Sequence, residues 1–289
     1  MEAINSDRLL FRWAQSIYRK MPIPRHWKNK YLAPSIFRLT GRLFRRSGAY
    51  HGWVNDRNGP LFDRLMDQYY HRWIHRSLPA PSDPPSTPKV SIIVLSHNLN
   101  EYTFSCLQAV LEHTDSPSFE FIVLDNGSNC EDSAELHEYA GVAHVIRSEE
   151  NLGFSKGCNH AVVHARGEFL VFLNNDVIVT KGWLAALCKA MDTLPEAGII
   201  APKIIYADGT LQEAGGDVLP DGLVVQRGKA DDSRRLVYNR VESVDYCSAS
   251  AMLVRRKLFH RVEGFDEGLG RGSIGDDRPR DRRGVGAAP

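Results

Sequence analysis

The segment VSIIVLSHN, residues 90–98, decides the fold, because a run of mostly β-branched residues ends there in three short polar ones. A continuous apolar run of this kind predicts a strand that is buried on both faces, as in a parallel sheet. Further strands are predicted at residues 119–124, 143–146 and 168–173, and Gly198-Ile-Ile200 predicts the start of another.

Helices are predicted between these strands, at residues 101–113, 132–139, 154–165 and 183–191, from apolar residues at helical spacing. Strands that alternate with helices indicate an α/β fold. We therefore expect a mostly parallel, Rossmann-like sheet with helices on both faces.

The amino-terminal region, residues 1–78, is basic and rich in aromatic residues. It holds 15 of the 36 Lys and Arg residues but only 5 of the 35 Asp and Glu residues. Helical spacing of apolar residues between Ser6 and Lys20 predicts a helix there. The interpretation that we favour is a helical appendage packed on the main domain, and the alternative is a peripheral contact with an anionic membrane. We expect no nucleic-acid binding, because no recognised module accompanies the charge.

The Pro-rich stretch 79–88 predicts a linker, which makes residues 89–267 the main domain and residues 268–289 a tail. The net charge of +1 and the 43% apolar composition suit a globular chain and name no partner. The five cysteines include no C-x-x-C pair, so a reduced, cytoplasmic protein is expected. Neither a bilayer-spanning run nor a signal peptide is evident. If residues 1–78 do contact a membrane, we therefore expect the contact at the inner face of the cell membrane.

Short polar residues follow three of the predicted strands. They are Ser96-His97-Asn98, Asp125-Asn126-Gly127-Ser128 and Asn174-Asn175-Asp176. Ligands of open parallel sheets bind beyond the carboxyl ends of the strands. We therefore expect these residues to line one ligand site.

Each of the polar motifs has two interpretations. Asp125 could accept hydrogen bonds from a base or ribose, or belong to a simple Asp-Asn-Gly turn. Asn174-Asn175-Asp176 could supply hard oxygen ligands to Mg²⁺ or Mn²⁺, or form an Asx turn before the next helix. In the segment from Glu150 to Asn159, Gly153 and Lys156 could approach a phosphate, or open an ordinary helix with a solvated lysine.

Taken in order, five motifs resemble glycosyltransferase family 2, in its bacterial rhamnosyltransferase-like members. The matching motifs are VSIIV at 90–94, VLDNGS at 123–128, ENLGF at 150–154, FLNNDV at 172–177 and GFDE at 264–267. The resemblance implies the A-type glycosyltransferase fold, a nucleotide-diphosphate sugar as donor, and Mg²⁺ or Mn²⁺ as cofactor.

The resemblance also implies roles for individual residues. Asp125 would contact the base or ribose, and Asp176 would hold the cation where the family has its D-x-D motif, with Asn174 in place of the first acid. Residues 245–252 would line the donor-sugar and acceptor side, while His97 is interpreted as a turn residue. The full set expected to bind the nucleotide sugar is Ser96, Asn98, Asp125, Gly127, Asn151, Gly153, Lys156, Asn174 and Asn175.

The tail departs from the family pattern. The family places its general base shortly after GFDE, and Asp276 and Asp277 stand roughly there, in a Gly- and Arg-rich stretch that we expect to be disordered. A one-base frame shift after Asp277 permits a family-like Asp-Leu segment, so we hypothesise a truncated or frameshifted product.

Three functions follow as hypotheses. The first is an inverting, metal-dependent transfer of a sugar to a glycan or lipid-linked acceptor in cell-surface polysaccharide synthesis. The second is a donor-binding remnant that lacks a positioned general base. A nucleotidyltransferase ranks below both, because no Gly-rich loop bearing Lys or Arg follows the first strand.

Overall fold

The computed structural model describes residues 59–69, 87–138, 141–220, 222 and 224–268. The helices are α1 (59–69), α2 (Asn100–His113), α3 (Cys130–His137), α4 (Gly153–Val162), α5 (Trp183–Thr193) and α6 (Arg256–Arg261). The first five strands are β1 (Val90–Ser96), β2 (Phe119–Asn126), β3 (His144–Ser148), β4 (Phe169–Leu173) and β5 (Ile199–Ile200). The others are β6 (Ile204–Ile205), β7 (Leu211–Glu213), β8 (Gly216–Val218), β9 (Val224–Gln226) and β10 (Ala251–Arg255).

Six strands form the main sheet, in the order β3-β2-β1-β4-β10-β5. Strands β3, β2, β1 and β4 are parallel to their neighbours in this order, whereas β10 is antiparallel to both β4 and β5. In this register Ser96 lies opposite Asp125, and Asp125 lies opposite Arg147. The parallel strands therefore end at a common edge, which we call the carboxyl edge.

The sheet separates two apolar cores, because alternate residues of each strand point to opposite faces. Ile92 and Val171 lie in the core beneath α2, α3 and α5, and Ile93 and Phe172 lie in the core beneath α4 and α6. Strands β1 and β4 are thus apolar on both sides, which accounts for their unbroken apolar sequence.

The predicted fold class, a mostly parallel α/β sheet with helices on both faces, is confirmed. The four parallel strands and the helices α2 to α5 lie within a few residues of their predicted bounds. The antiparallel strand β10 was not predicted. Its residues pair along the whole of β4, from Ala251 opposite Leu173 to Arg255 opposite Phe169.

Between β5 and β10 the chain forms two small antiparallel pairs outside the main sheet. Strand β6 pairs with β7, and β8 pairs with β9. A bridge between Gly216 and Tyr246 connects the second pair to the segment that leads into β10.

Helix α1 packs against α2. The hydroxyl of Tyr69 lies 3.0 Å from His113 Nε2, and Ser105 Oγ donates to the carbonyl of Met66 at 3.2 Å. This part of the amino-terminal region is therefore a helix on the main domain. The helix expected between Ser6 and Lys20 lies outside the described residues, as do residues 269–289. Within the described ranges, no helix has the length and apolarity needed to cross a bilayer.

Candidate functional site

Three loops meet at the carboxyl edge, following β1, β2 and β3. His97 Nδ1 lies 3.0 Å from the carbonyl of Asn126, and the backbone N–H of Asn98 donates to Ser128 Oγ at 2.9 Å. Asn98 Oδ1 accepts two hydrogen bonds from Asn129, from the backbone N–H at 2.9 Å and from Nδ2 at 3.1 Å. The first two loops are therefore joined by their own polar groups.

The turn after β1 is conformationally unusual. Asn98 and Leu99 are consecutive residues with φ of 54° and 52°, in the left-handed region that L residues seldom occupy. Asparagine tolerates this conformation, whereas the leucine side chain has no polar group that could form a local hydrogen bond to offset it. Leu99 is exposed, so its side chain does not explain the conformation by packing. Such strain is concentrated at ligand sites of proteins, which makes this turn a candidate.

The loops after β2 and β3 approach so closely that a glycine is required. Gly127 has φ of 75°, and a Cβ atom there would lie 2.5 Å from the carbonyl carbon of Glu150 and 2.6 Å from the nitrogen of Asn151. Asn126 fastens the contact, because its Nδ2 donates to Asn151 Oδ1 and to the carbonyl of Gly153, both at 3.2 Å. Gly127, Asn151 and Gly153 thus lie together, and their binding of a nucleotide sugar stays a prediction.

Asp125 lies at the base of these loops and is fully buried. Its Oδ1 accepts a hydrogen bond from the backbone N–H of Ser128 at 3.0 Å, and its Oδ2 accepts one from Ser133 Oγ at 2.5 Å. Arg147 Nη1 lies 3.5 Å from the same Oδ2. Burial by itself raises the pKa of Asp125, but both serines and the Arg147 charge outweigh it and hold the pKa below its ordinary value. The carboxylate is therefore ionised and held by protein groups, and its contact with a base or ribose stays a prediction.

The ends of β1 and β4 are joined through a residue that the sequence analysis did not select. Ser96 Oγ lies 2.7 Å from Thr103 Oγ1, which also accepts a hydrogen bond from Asn175 Nδ2 at 3.2 Å. All three residues are buried. Thr103 thus connects Ser96 and Asn175 through buried hydrogen bonds below the carboxyl edge.

The Asn174-Asn175-Asp176 turn continues β4 at the same edge. The backbone N–H of Asn174 donates to the carbonyl of Ser250 at 2.9 Å, so the turn is also tied to the segment before β10. The thiol of Cys106 donates to the carbonyl of Asn174 at 3.6 Å from beneath. Burial and then the charge of Asp176 raise the pKa of that thiol.

The oxygen chemistry of this turn is compatible with a divalent cation of the Mg²⁺ class. Within the described residues, no group of three or more His, Cys, Asp or Glu side chains could hold a metal ion. Asp176 is half-buried and supplies one carboxylate. Mg²⁺ is usually bound by one or two carboxylates and completed by water and substrate phosphates, so the turn fits an ion that arrives with a phosphorylated ligand.

The remaining predicted residues fall into two groups. Lys156 is exposed on the first turns of α4, which begins beside the three loops. Asp276 and Asp277, the predicted general base, lie outside the described residues.

The segment that leads toward them is firmly held. Asn159 donates to the carbonyl of Phe265 at 2.9 Å and accepts from the Phe265 N–H at 2.9 Å, and the Phe265 ring packs 4.9 Å from the ring of Phe172.

A family model for glycosyl transferase family 2 matches residues 91–262, more than half of the chain. The chain belongs to this family. The family 2 domain therefore includes the main sheet from β1 to β10, except for the first residue of β1, and all three loops of the candidate site.

Two relatives are much longer than this chain. Protein y4gI of Sinorhizobium fredii is 26% identical over 231 residues, which are 71% of this chain and 24% of that protein. The O-antigen biosynthesis protein RfbC of Myxococcus xanthus is 29% identical over 197 residues, 63% of this chain and 15% of that protein. The chain thus spans about a quarter or less of the length of these relatives.

Among solved structures, the family 2 domain is similar to a mannosyltransferase of Pyrobaculum calidifontis, solved in complex with GDP-Man and Mn²⁺. The identity is 19%, the coverage is 75% of this chain and 59% of that chain, and the TM-score is 0.45.

Sequence reasoning missed several residues of the site. Arg147 stands opposite Asp125 in the register of β2 and β3, and Thr103 lies one turn into α2. Asn126 was given only a turn role, although its side chain fastens the third loop. Arg147 directly follows the predicted strand 143–146, and this was the one available signal, because pairing of β3 with β2 brings its charge to Asp125.

Proposed function

We propose that the chain transfers a sugar from a nucleotide-diphosphate donor to a glycan or lipid-linked acceptor in cell-surface polysaccharide synthesis. The observation that carries the proposal is the convergence of three polar loops at the carboxyl edge of a family 2 domain. Ligands of such sheets bind beyond this edge. Similarity to an O-antigen biosynthesis protein supports the polysaccharide context.

The nucleotide end of the donor is assigned to the loops after β1, β2 and β3. The strained turn at Asn98 and Leu99 and the close approach at Gly127 support a preformed pocket wall at this place. Asp125 is assigned to recognition of the base or ribose. Either its carboxylate would contact that group directly, or Ser128 and Arg147, which it orients, would do so. Lys156 and the backbone at Gly153, at the amino end of α4, are assigned to phosphate, because this end of a helix favours negative charge.

The diphosphate and its cation are assigned to the turn after β4. Asp176 would hold Mg²⁺ or Mn²⁺, which neutralises charge on the leaving diphosphate when it is bound. Asn174 and Asn175 would support the turn through Ser250 and Thr103.

Transfer with inversion requires one general base near the acceptor hydroxyl. Asp276 and Asp277 are the candidates. The anchored position of Phe265 brings the chain past α4 at residue 268, eight residues before Asp276 in the sequence. A chain that binds the donor without turnover would instead be a donor-binding remnant.

The reaction is assigned to the cytoplasm, at the inner face of the cell membrane. The basic region 1–78 supports this, since clustered Lys and Arg residues are attracted to anionic lipid.

The test compares Asp176→Ala with Asp192→Ala, a control at a carboxylate that pairs with Lys89 at the opposite edge. Binding of UDP, GDP and dTDP is titrated with and without Mn²⁺. We expect Mn²⁺ to strengthen binding at least tenfold in the wild type and in Asp192→Ala. Asp176→Ala should lose this gain, because its carboxylate no longer holds the ion.

An unchanged Mn²⁺ effect in Asp176→Ala would contradict the metal assignment. Absence of binding by every nucleotide to the folded wild type would contradict the proposed function itself. Turnover measured beside binding then separates an active transferase from a remnant.

A further inference from the structure

Glu213, at the end of β7, is a buried carboxylate that the site described above does not use. Its residue is 4% exposed. It lies in the small strand pairs between β5 and β10, on the chain segment that precedes the final strand of the sheet. A buried carboxylate is costly unless its oxygens are satisfied, so its partners indicate what it holds.

Both oxygens of Glu213 accept hydrogen bonds from other segments. Oε1 accepts from the backbone N–H of Ser248 at 2.7 Å, and Oε2 accepts from Gln226 Nε2 at 3.0 Å. Gln226 ends β9, and Ser248 belongs to the segment that enters β10. One side chain therefore fastens three separate parts of the chain.

The charge of Glu213 shifts the pKa values of neighbouring side chains. Burial and then this charge raise the pKa values of Tyr246 and Cys247, which flank the same strand entry. Burial lowers the pKa of Lys229, and the charge of Glu213 opposes that effect.

A continuous hydrogen-bonded path leads from Glu213 to the turn after β4. Ser248 Oγ lies 2.8 Å from Ser250 Oγ. The carbonyl of Ser250 in turn accepts a hydrogen bond from the backbone N–H of Asn174 at 2.9 Å, and its hydroxyl accepts one from Asn174 Nδ2 at 3.4 Å. Only Ser248 and Ser250 therefore stand between Glu213 and the turn that carries Asp176 along this path.

Strand order indicates which part of a donor this path would serve. The loops after β3, β2 and β1 precede β4 across the sheet, and β10 follows it. A ligand with its nucleotide over β2 and β1 and its diphosphate at β4 would extend its sugar toward the start of β10. Ser248 and Ser250, both half-buried, stand there.

We propose that Glu213 is a positioning residue for the sugar end of the donor. It holds the Ser248–Ser250 segment against Asn174, so that the wall beside the sugar keeps its shape. The inference rests on the proposed function, and it predicts that Glu213 affects recognition of the sugar and leaves recognition of the nucleotide unchanged.

The first test needs no ligand. Amide hydrogen exchange at Ser248 is compared in the wild type, Glu213→Ala, Glu213→Gln and Glu120→Gln. Glu120 is the matched control, because it is also a buried carboxylate, at 7% exposure, but lies at the opposite edge. We expect Ser248 to exchange at least tenfold faster in Glu213→Ala. Glu213→Gln should stay within about threefold of the wild type, since its amide oxygen can accept the same N–H. Unchanged exchange in Glu213→Ala would overturn the anchoring role.

The second test compares dissociation constants of each nucleotide and its sugar form, using UDP with UDP-glucose, GDP with GDP-mannose, and dTDP with dTDP-rhamnose. For the pair that the wild type binds, Glu213→Ala should weaken the sugar form at least tenfold and the bare nucleotide less than twofold. Equal weakening of both would overturn the assignment to the sugar end.

A second variant keeps the inference testable if Glu213→Ala does not fold. The double substitution Ser248→Ala and Ser250→Ala removes the hydroxyl path but keeps the N–H bond to Glu213. It should weaken the sugar form while Ser248 stays protected, and a double variant that binds the sugar form like the wild type would contradict the path. A wild type that binds none of the six compounds contradicts the proposed function, whereas the exchange data still decide whether Glu213 anchors Ser248.

Discussion

Strand β2 carries a buried carboxylate near each end, and the two ends compensate the charge differently. At the amino edge Glu120 accepts from Ser91 Oγ at 2.6 Å and from the backbone, Nε and Nη2 of Arg166 at 2.8, 2.8 and 2.6 Å. At the carboxyl edge Asp125 has two serine donors, and Arg147 lies farther away, at 3.5 Å.

The difference concerns what surrounds each carboxylate. Glu120 joins β2 to β1 and to the turn before β4, and Arg166 meets it with a fork of two N–H groups. Asp125 instead holds Ser128, whose hydroxyl in turn orients Asn98 in the strained loop. The same strand thus stabilises the sheet at one edge and shapes the candidate site at the other.

The largest expected effect is at Gly127. Gly127→Ala combines an unfavourable φ with a Cβ clash against the backbone of the next loop, so we expect a loss of about 3–5 kcal/mol in the free energy of unfolding. Nucleotide binding should be lost with it.

Gly153→Ala is the control, because its φ of 73° is similar but nothing lies within 4 Å of its added Cβ. It should cost about 1–2 kcal/mol. Urea unfolding measures both, and equal losses would show that backbone conformation alone matters.

The next effect separates the two carboxylates. Glu120→Ala leaves Ser91 and the Arg166 N–H groups without their acceptor, and should lower the free energy of unfolding by about 2–4 kcal/mol. Nucleotide affinity should stay within twofold of the wild type. Asp125→Ala should lower stability and weaken nucleotide binding at least tenfold, because the loop at Ser128 loses its anchor. Denaturation and titration of both variants check this, and a loss of affinity in Glu120→Ala would remove the distinction between the edges.

The acid side of the stability profile gives a third comparison. Burial alone raises the pKa of Glu120, but Ser91 and Arg166 outweigh it and lower the pKa overall, as at Asp125. A lowered folded-state pKa means that the stabilisation is present above the unfolded-state value, about 4, and is lost as the pH falls through the folded-state value.

The side chain of Glu120→Gln cannot titrate. Below about pH 4, the free energy of unfolding of this variant should therefore fall less steeply with decreasing pH than that of the wild type, by at most about 1.4 kcal/mol per pH unit. Thermal unfolding from pH 7 down to pH 3 measures the slope. Identical slopes in the two proteins would mean that Glu120 is protonated equally easily when folded and unfolded.

The smallest expected effect is at Thr103. Thr103→Val keeps the shape but removes the hydroxyl between Ser96 and Asn175, so stability should fall by about 1–2 kcal/mol. Because β1 and β4 are also joined by their ladder, we expect only a few-fold loss in nucleotide affinity. Thr103→Ser retains the hydroxyl and should keep that affinity. Loss of binding in Thr103→Ser, with none in Thr103→Val, would indicate that the methyl group matters instead.

Much of the candidate site could be read from the sequence, because strand ends are local features. The apolar runs of β1, β2 and β4 stop at Ser96, Asp125 and Asn174, and parallel strands end at one edge. The partners of these residues could not be read, since Arg147 reaches Asp125 only through the pairing of β3 with β2. Asp276 and Asp277 lie outside the described residues and stay predictions.

The sequence by itself determined the parallel strands, their helices and the shared edge, because apolar periodicity is set by burial along each local segment. Only the tertiary structure decided that β10 enters antiparallel beside β4, and that Glu213 accepts a hydrogen bond from the backbone N–H of Ser248 before β10. Pairing direction and buried polar contacts join residues far apart in the chain, and no local pattern specifies which distant N–H a buried carboxylate will accept.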